Sequence, residues 1–558
     1  MKNPTPANPA MTDNLLFEHF ATLATAPEGI ARLRELILQL AVQGKLGTQD
    51  AGDETASVLL KKIREVKERL VKEKKLQKEK PLKSLTETDE PFNIPKNWIW
   101  TYFGQIIFNR DGERIPIEKA ERSTRHGSYD YYGASGVIDS IDGYLFDKSL
   151  LLIGEDGANL VNRSTPIAFI AHGKYWVNNH AHVLDGISLE FLRYLEIYIN
   201  SIDLRPYLTG MAQPKMNQAK MNSIPVPLPP LAEQHRIVTK VDRFMALCDE
   251  LEARQQQERA GCLKLGTASL AGLQNAESPE EFGRQWAQVC DAFDLVLDCP
   301  ENVAVLRQTI LQLAVQGRLV WQEMGDEPAD MLVERIRKEK ERLVKEGKIK
   351  RDSRLELIDE NDIGQSFPQN WVLTRLGEIA YYNAEIKVSS EEISEESWVF
   401  DLEDIEKDTS RILQKVRFKD RQSLSSKSRF KKGDVLYGKL RPYLNKVVVA
   451  DEDGYCTTEI VPIRPYLDID PKYLMYALKT PSFLSYVNSK TYGIKMPRLG
   501  TVDAINTVVP LPPLAEQHRI VAKVDALMAL CDALESQLKE RAGVQERFAK
   551  AVGKQVAG

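Results

Sequence analysis

The chain repeats itself. Ile37–Leu46 reads ILQLAVQGKL and Ile310–Leu319 reads ILQLAVQGRL, nine of ten residues alike at an offset of 273. The same offset carries Pro27 onto Pro300, Glu68–Glu73 (ERLVKE) onto Glu341–Glu346, and Trp98 onto Trp371. A second block, Pro227–Glu252 (PLPPLAEQHRIVTKVDRFMALCDELE), returns as Pro510–Glu535 with 22 of 26 positions alike, now at an offset of 283. The offset changes by ten between about Gly104 and Pro227, and within that window the copies share little that aligns. Two copies are too few for a solenoid. Similar frames bracketing dissimilar contents imply one scaffold used twice to present two different working surfaces.

The frame reads as helix. After the prolines at Pro225–Pro230, apolar residues fall at Ile237, Val241, Phe244, Cys248 and Leu251, and in the second copy at Ile520, Val524, Leu527, Cys531 and Leu534. Spacings of four and three make a heptad seam, which predicts long helices from about Leu231 and about Leu514 that pair with each other in antiparallel fashion. Upstream of each insert runs a basic helix. Lys61–Lys80 holds ten Lys/Arg against four Glu, and Arg335–Arg351 nine against three. Such runs are more often solvated faces than phosphate tracks.

The inserts differ in texture. They are rich in Tyr, Gly and short β-branched runs, which predicts short strands joined by loops, with helices at Leu189–Asn200 and Pro471–Leu478. The whole is expected to be α+β with an internal pseudo-two-fold duplication. Five segments follow: a helical frame segment at 1–90, inserts at 91–226 and 364–509, a central helical region at 227–363, and a distal helix at 510–558.

The motifs that could carry chemistry are incomplete. Gly433–Leu440 (GDVLYGKL) imitates a phosphate loop, but Leu440 stands where a hydroxyl should hold magnesium, and Pro442 opposes a following helix. His180 and His182 could share a strand face, yet no third metal ligand is spaced to join them. Glu385-Ile386-Lys387 lacks the upstream Asp of a nuclease. No reaction centre emerges, and no catalytic or metal residue is assigned. Recognition surfaces remain. Arg411–Lys446 contains twelve Lys/Arg against Asp420 and Asp434, whereas Glu391–Asp408 holds nine acids against Lys407. This predicts a polarised second insert whose Arg429, Lys439, Arg441, Tyr443, Asn445 and Lys446 contact phosphates and base edges. The first insert offers polar loops instead, with Tyr131, Tyr132, Ser135, Asn159, Asn178, Asn179, His180, Gln213, Lys215 and Asn217 as candidate DNA contacts. A net charge of −5, from 75 Lys/Arg and 80 Asp/Glu, does not announce such a partner. Six cysteines without CxxC spacing, no long apolar run and a polar Met1–Asn14 suggest a reducing cytoplasm and no membrane.

The frame segments, together with the insert phrases DGERIPI (Asp111–Ile117), YYGASGVID (Tyr131–Asp139), GEDGANL, VNNHAHVL, GKLRPYLNK (Gly438–Lys446) and GIKMPRLG (Gly493–Gly500), resemble DNA-specificity subunits of type I restriction-modification systems. The last phrase adds Lys495 and Arg498 to the candidate contacts. The resemblance implies two target-recognition domains of mixed α/β fold reading the halves of an asymmetric bipartite DNA site, with an antiparallel coiled coil spacing them. It also implies that the chain is not an enzyme and binds no cofactor. Two methyltransferase subunits would use S-adenosylmethionine, and restriction/translocase subunits would use ATP and Mg2+. The alternative is a coiled-coil scaffold without DNA readout.

Overall fold

The computed structural model describes residues 20–78, 85–86, 89–210, 213–349, 355–359, 367–383, 387–421, 425–493 and 495–557. Glu385 and Ile386 of the nuclease-like triplet, and the first 19 residues, lie outside these. The chain forms two compact units, 1–257 with 540–558 and 258–539, so it passes from one to the other inside one long helix and returns inside another. Each unit takes in one insert and frame segments from both sides of it.

In unit one, a short helix at Phe20–Thr25 is followed by α1 (Gly29–Val42) and α2 (Ala56–Lys72). The AVQGKL phrase is the end of α1. Gly44 sits at φ 69°, Lys45 N donates to Leu40 O at 2.9 Å, and Gly44 N donates to Ala41 O. This is a Schellman stop, in which glycine tolerates the left-handed backbone. The copy in unit two is the same: Gly317 at φ 71°, with Arg318 N to Leu313 O. The repeated phrase is thus a helix terminator.

The insert opens on β1 (Ile99–Tyr102) and closes on β10 (Pro225–Leu228), paired antiparallel from Ile99↔Leu228 to Tyr102↔Pro225. Between them lie β2 (Phe108–Asn109), β3 (Tyr129–Gly133), β4 (Gly136–Ile141), β5 (Phe146–Asp147), β6 (Leu150–Gly154), β7 (Ala168–Ala171), β8 (Lys174–Val177) and β9 (Ala181–Asp185). They form two four-stranded sheets, β2-β9-β6-β7 and β4-β3-β8-β5. Helix α3 (Leu189–Ser201) follows β9, capped by Ser188, whose side chain accepts from Phe191 N.

The long helix α4 (Leu231–Asn275) has 45 residues, about 68 Å at 1.5 Å per residue. Its first half belongs to unit one. In unit two, α5 (Pro279–Asp291) folds back so that Leu270, Leu273 and Val289 share a small core. Then come α6 (Pro300–Val315), α7 (Ala329–Lys345) and the second insert, between β11 (Val372–Arg375) and β21 (Val508–Leu511). That insert holds β12 (Ala380–Tyr382), β13 (Lys387–Val388), β14 (Trp398–Phe400), β15 (Val416–Arg417), β16 (Lys427–Phe430), β17 (Val435–Gly438), β18 (Val447–Val449), β19 (Gly454–Cys456) and β20 (Ile460–Pro465). The last helix, α8 (Leu514–Ala557), has 44 residues and ends in unit one.

The inserts share a topology that their sequences hide. Sheet β12-β20-β17-β18 repeats β2-β9-β6-β7. The other sheet, β13-β16-β19-β14-β15, repeats β5-β8-β3-β4 with one strand added. In each, one parallel pair, β3 with β8 and β14 with β19, sits among antiparallel neighbours.

The seams find other partners than expected. Ile237, Val241 and Cys248 are buried in the core that holds Leu33, Ile37 and Leu40 of α1, with Phe244 and Leu251 packed against it. Ile520, Val524 and Cys531 lie in a separate core with Ile310, Leu311 and Ala314 of α6, and Leu527 and Leu534 pack there. Equivalent ion pairs guard both contacts: Arg34 with Asp249 and Glu252 at 2.6 and 2.8 Å, and Arg307 with Asp532 and Glu535 at 2.6 and 3.4 Å. The heptad spacing does mark a helical stripe on each long helix. The stripe is consumed by the short frame helix of its own unit, because a nearer apolar face is available there.

The frame also grips the base of each insert. Buried Glu233 accepts from Trp98 Nε1 at 2.8 Å and Thr48 Oγ1 at 3.0 Å, and Glu516 accepts from Trp371 Nε1 at 3.0 Å. Burial raises the Glu516 pKa from its ordinary value. On the basic helices, Lys67 Nζ donates to Gly104 O at 2.5 Å and Lys340 Nζ to Gly377 O at 2.7 Å, so part of each basic run is an anchor.

Candidate nucleic-acid interface

The two related sheets end in comparable rims. In unit one, β6 is buried throughout and breaks at Glu155-Asp156-Gly157. Lys215 bridges Thr209 and also joins the rim through Asp156↔Lys215. Met216 N donates to Glu155 O at 2.8 Å, and Gly157 N to Pro214 O at 3.1 Å. Glu155 N donates to His180 O, which brings in the turn before β9. Gly154 faces Ala134 O so closely that a Cβ there would lie 2.6 Å from it, which brings in the β3–β4 turn. Exposed Ser135, Asn179, His180, Gln213 and Lys215 therefore stand on one rim.

In unit two, Lys439 N donates to Glu459 O at 3.0 Å, Leu499 N to Lys439 O at 3.1 Å, and Arg441 N to Pro497 O at 2.7 Å. Tyr492↔Arg498 closes this loop as Thr209↔Lys215 closes the first. Gly210 at φ 81° and Gly493 at φ 94° turn the two loops in the backbone region glycine favours. A carboxylate fastens each one. Lys215 Nζ lies 3.2 Å from Glu155, and Arg498 Nη2 lies 2.9 Å from Glu459. The Arg498 hydrogen bond holds Glu459 below the usual carboxylate pKa, against the effect of burial. Lys439, Arg441, Tyr443 and Lys495 share this second rim, and exposed Arg429 projects from β16.

Several expected contacts are buried or already engaged in local hydrogen bonds and packing. Tyr131 is fully buried; its hydroxyl accepts from Ile117 N, and Arg122 covers its ring. Tyr132 is half-buried and stacks on Phe169. Asn178 is buried and accepts from His180 N, fixing a turn. Asn159 accepts from Ser164 and Thr165, and Asn217 caps a short helix by accepting from Lys220 N. Asn445 is buried with φ 50°, and Lys446 Nζ donates to Leu402 O at 2.6 Å. Small polar residues at turns satisfy backbone groups.

The polarised second insert is also corrected. The acidic and basic stretches neutralise one another: Lys419 with Glu396, Arg421 with Asp401, Glu403 and Asp404, Lys427 with Asp401, and Arg411 with Glu406. Lys415 and Arg417 pair with Asp451 and Glu452. Lys427 and Asp404 are buried, which only a paired charge tolerates. The pairing covers Arg411 to Lys427; Arg429, Lys431, Lys432, Lys439, Arg441, Lys446 and Lys495 carry no ion pair among the described residues, so the free positive charge gathers in the later part of the run.

The two histidines do not share a face. His180 is exposed in the turn and meets Asp156 at 2.9 Å, while His182 is buried in β9. No cluster able to hold a metal occurs among the described residues. Sequence reading missed the clamps Glu155–Lys215 and Glu459–Arg498; a single cation three residues before each short helix, Gln218–Asn222 and Thr501–Ile505, was too weak a signal.

Two copies of one family domain, the type I restriction modification DNA specificity domain, match residues 103–259 and 368–542. The chain belongs to this family of DNA-specificity proteins. It is 29% identical to the EcoAI type I restriction enzyme specificity subunit of Escherichia coli, over 94% of this chain and 93% of that one. It is 30% identical to the EcoEI specificity subunit of the same species over the same shares. A solved HsdS subunit from Thermoanaerobacter tengcongensis is 17% identical, spanning 84% of this chain and 98% of that one at a TM-score of 0.38. That overall likeness is too loose to bear on the arrangement of the two units.

Proposed function

We propose that the chain is the specificity subunit of a type I restriction-modification complex, reading a bipartite asymmetric DNA site with one half assigned to each insert. The observation that carries this is the pair of family domains with one sheet topology and differently furnished rims. Ser135, Asn179, His180, Gln213 and Lys215 would read one half, and Arg429, Lys439, Arg441, Tyr443, Lys495 and Arg498 the other. Amide, hydroxyl and imidazole groups suit base edges, whereas Arg and Lys suit guanine and phosphate.

The long helices α4 and α8, each of which runs through both units, would set the spacing between the halves. Two methyltransferase subunits suit a duplicated frame, because equivalent surfaces bind equivalent partners. In this reading S-adenosylmethionine, ATP and Mg2+ act on the partners, with restriction/translocase subunits completing the complex in the cytoplasm. No helix among the described residues is long and apolar enough to cross a membrane.

The test is an exchange. Residues 91–226 are replaced by the corresponding insert of another family member, and methylated adenines are mapped across the host genome. One half of the methylated site is expected to change completely while the other half and the spacer persist. Changes in both halves would overturn the assignment of one insert to one half.

A further inference from the structure

Beneath the first rim lies a buried histidine with an acceptor on each ring nitrogen. His182 Nδ1 is 2.6 Å from Asp111 Oδ2, and Nε2 is 2.9 Å from the Met216 carbonyl oxygen. A carbonyl oxygen only accepts, so Nε2 carries a proton. A carboxylate at 2.6 Å likewise calls for a proton on Nδ1, and a ring that donates from both nitrogens is an imidazolium. Asp111 is fixed from other sides: its Oδ1 accepts from Val183 N at 2.8 Å, and Asn109 Nδ2 reaches Oδ2 at 3.1 Å.

The charged surroundings agree. Arg114 Nη2 lies 3.6 Å from Asp111, while its Nη1 holds Glu155 at 2.9 Å and Ala181 O at 2.7 Å. Glu155 stands 3.9 Å from His182 and carries Lys215 on its other oxygen. His180 faces away, paired with Asp156. Burial opposes charge on the ring, but the Asp111 hydrogen bond and charge, the Met216 carbonyl and Glu155 together raise the His182 pKa above its ordinary value. Asp111 is lowered, against burial, chiefly by His182 and Arg114.

The second unit lacks the device. In the β6–β9 ladder His182 faces Ile153, one step before Gly154. In the β17–β20 ladder the same step pairs Tyr437 with Val461, which is buried. The second loop is fastened by Arg498–Glu459, neither of which changes charge near neutrality.

We propose that His182, held as imidazolium by Asp111, is a positioning residue that pins the reading segment Lys215–Asn217 to the first sheet, and that its deprotonation releases that segment alone. A neutral ring donates from one nitrogen only, so either Asp111 or the Met216 carbonyl then faces a lone pair. The role in reading rests on the proposed function; the clamp itself does not.

Two DNA-free measurements on the full-length chain test it. Trypsin cleavage after Lys215 is compared with cleavage after Lys495 as pH rises, the second loop correcting for the enzyme's own pH response. The ratio is expected to climb about tenfold as His182 deprotonates. In Asp111→Asn the climb should move to lower pH, because the imidazolium loses its counter-charge; His182→Gln should abolish it. A flat ratio in the unaltered chain overturns the clamp. Histidine-labelled NMR supplies a readout without any variant: a His182 ring neutral at about pH 6 would also overturn it. With the methyltransferase partners present, base discrimination in one half of the site should fade over the same pH range. Loop release without that fading overturns the reading role. Absence of DNA binding in every combination overturns the proposed function while leaving the proteolysis result standing.

Discussion

The first insert braces its rim from within, and the second braces it from the surface. Under the first rim, Asp111, His182, Arg114 and Glu155 form a mostly buried network reaching up to Met216 and Lys215. Under the second, Val461 fills the equivalent place with carbon, and the loop relies on a partly exposed Arg498–Glu459 pair. The sheets are alike, so the difference lies in what each rim must support. Polar reading groups without much positive charge need accurate placement, since a hydrogen bond fails steeply with angle. Cationic groups act over longer distances and tolerate looser support. A scaffold can thus stay constant while its two reading surfaces differ in chemistry.

The comparison extends to the junction of insert and frame. Lys479, in unit two, occupies the position that Glu196 holds in unit one at the offset of the second repeated block. Burial lowers the Lys479 pKa to about 8 and raises that of Glu196 to about 7. Between about 8 and 10.5 the unfolded state binds more protons at the lysine, so unit two gains stability as pH rises through that window. Between 4.5 and about 7 the folded state binds more protons at the glutamate, so unit one loses stability as pH rises there. Lys479→Met and Glu196→Gln are therefore expected to stabilise their own units at neutral pH by about 1–3 kcal/mol. Calorimetric unfolding of each variant checks this, and stabilisation of the opposite unit would break the comparison.

Arg441→Ala tests the second rim directly. Loss of about 1–3 kcal/mol is expected for DNA carrying the correct second half-site, measured by titration of the assembled complex. Equal loss for a scrambled half-site would reduce Arg441 to a phosphate contact. A smaller contrast sharpens the two clamps. Glu155→Gln removes one of the two carboxylates beside Arg114, whose side chain is 14% exposed, and is expected to destabilise unit one by about 1–2 kcal/mol. Glu459→Gln frees Arg498, 34% exposed, and is expected to cost under about 1 kcal/mol in unit two. Thermal unfolding of the two variants side by side measures the difference, and the reverse order would contradict the inside-versus-surface distinction.

Much of this was legible in the residues. The duplication, the helical frame and the strand-rich inserts followed from identity at fixed offsets and from apolar spacing, which depend on local periodicity. Helices at Leu189–Ser201 and Pro471–Ala477 lie within a residue of where composition placed them. The candidate site was legible only in part. Loops dense in Asn, Ser and Tyr were located, but Tyr131, Asn178 and Asn445 within them are buried, because neither burial nor hydrogen-bond destination is a local property. The acidic and basic stretches of the second insert looked like two faces, yet the first half of the basic run is spent in ion pairs, since segments remote in sequence lie side by side.

The amino-acid order alone was enough to show that one frame is used twice around two unlike inserts, because a repeat needs no folding to be seen. Which apolar stripe meets which helix, whether a charge is free or already answered, and that His182 rather than His180 lies inside were decided by the packed chain. Those facts depend on contacts between residues tens to hundreds of positions apart, where geometry selects one partner among many that chemistry allows.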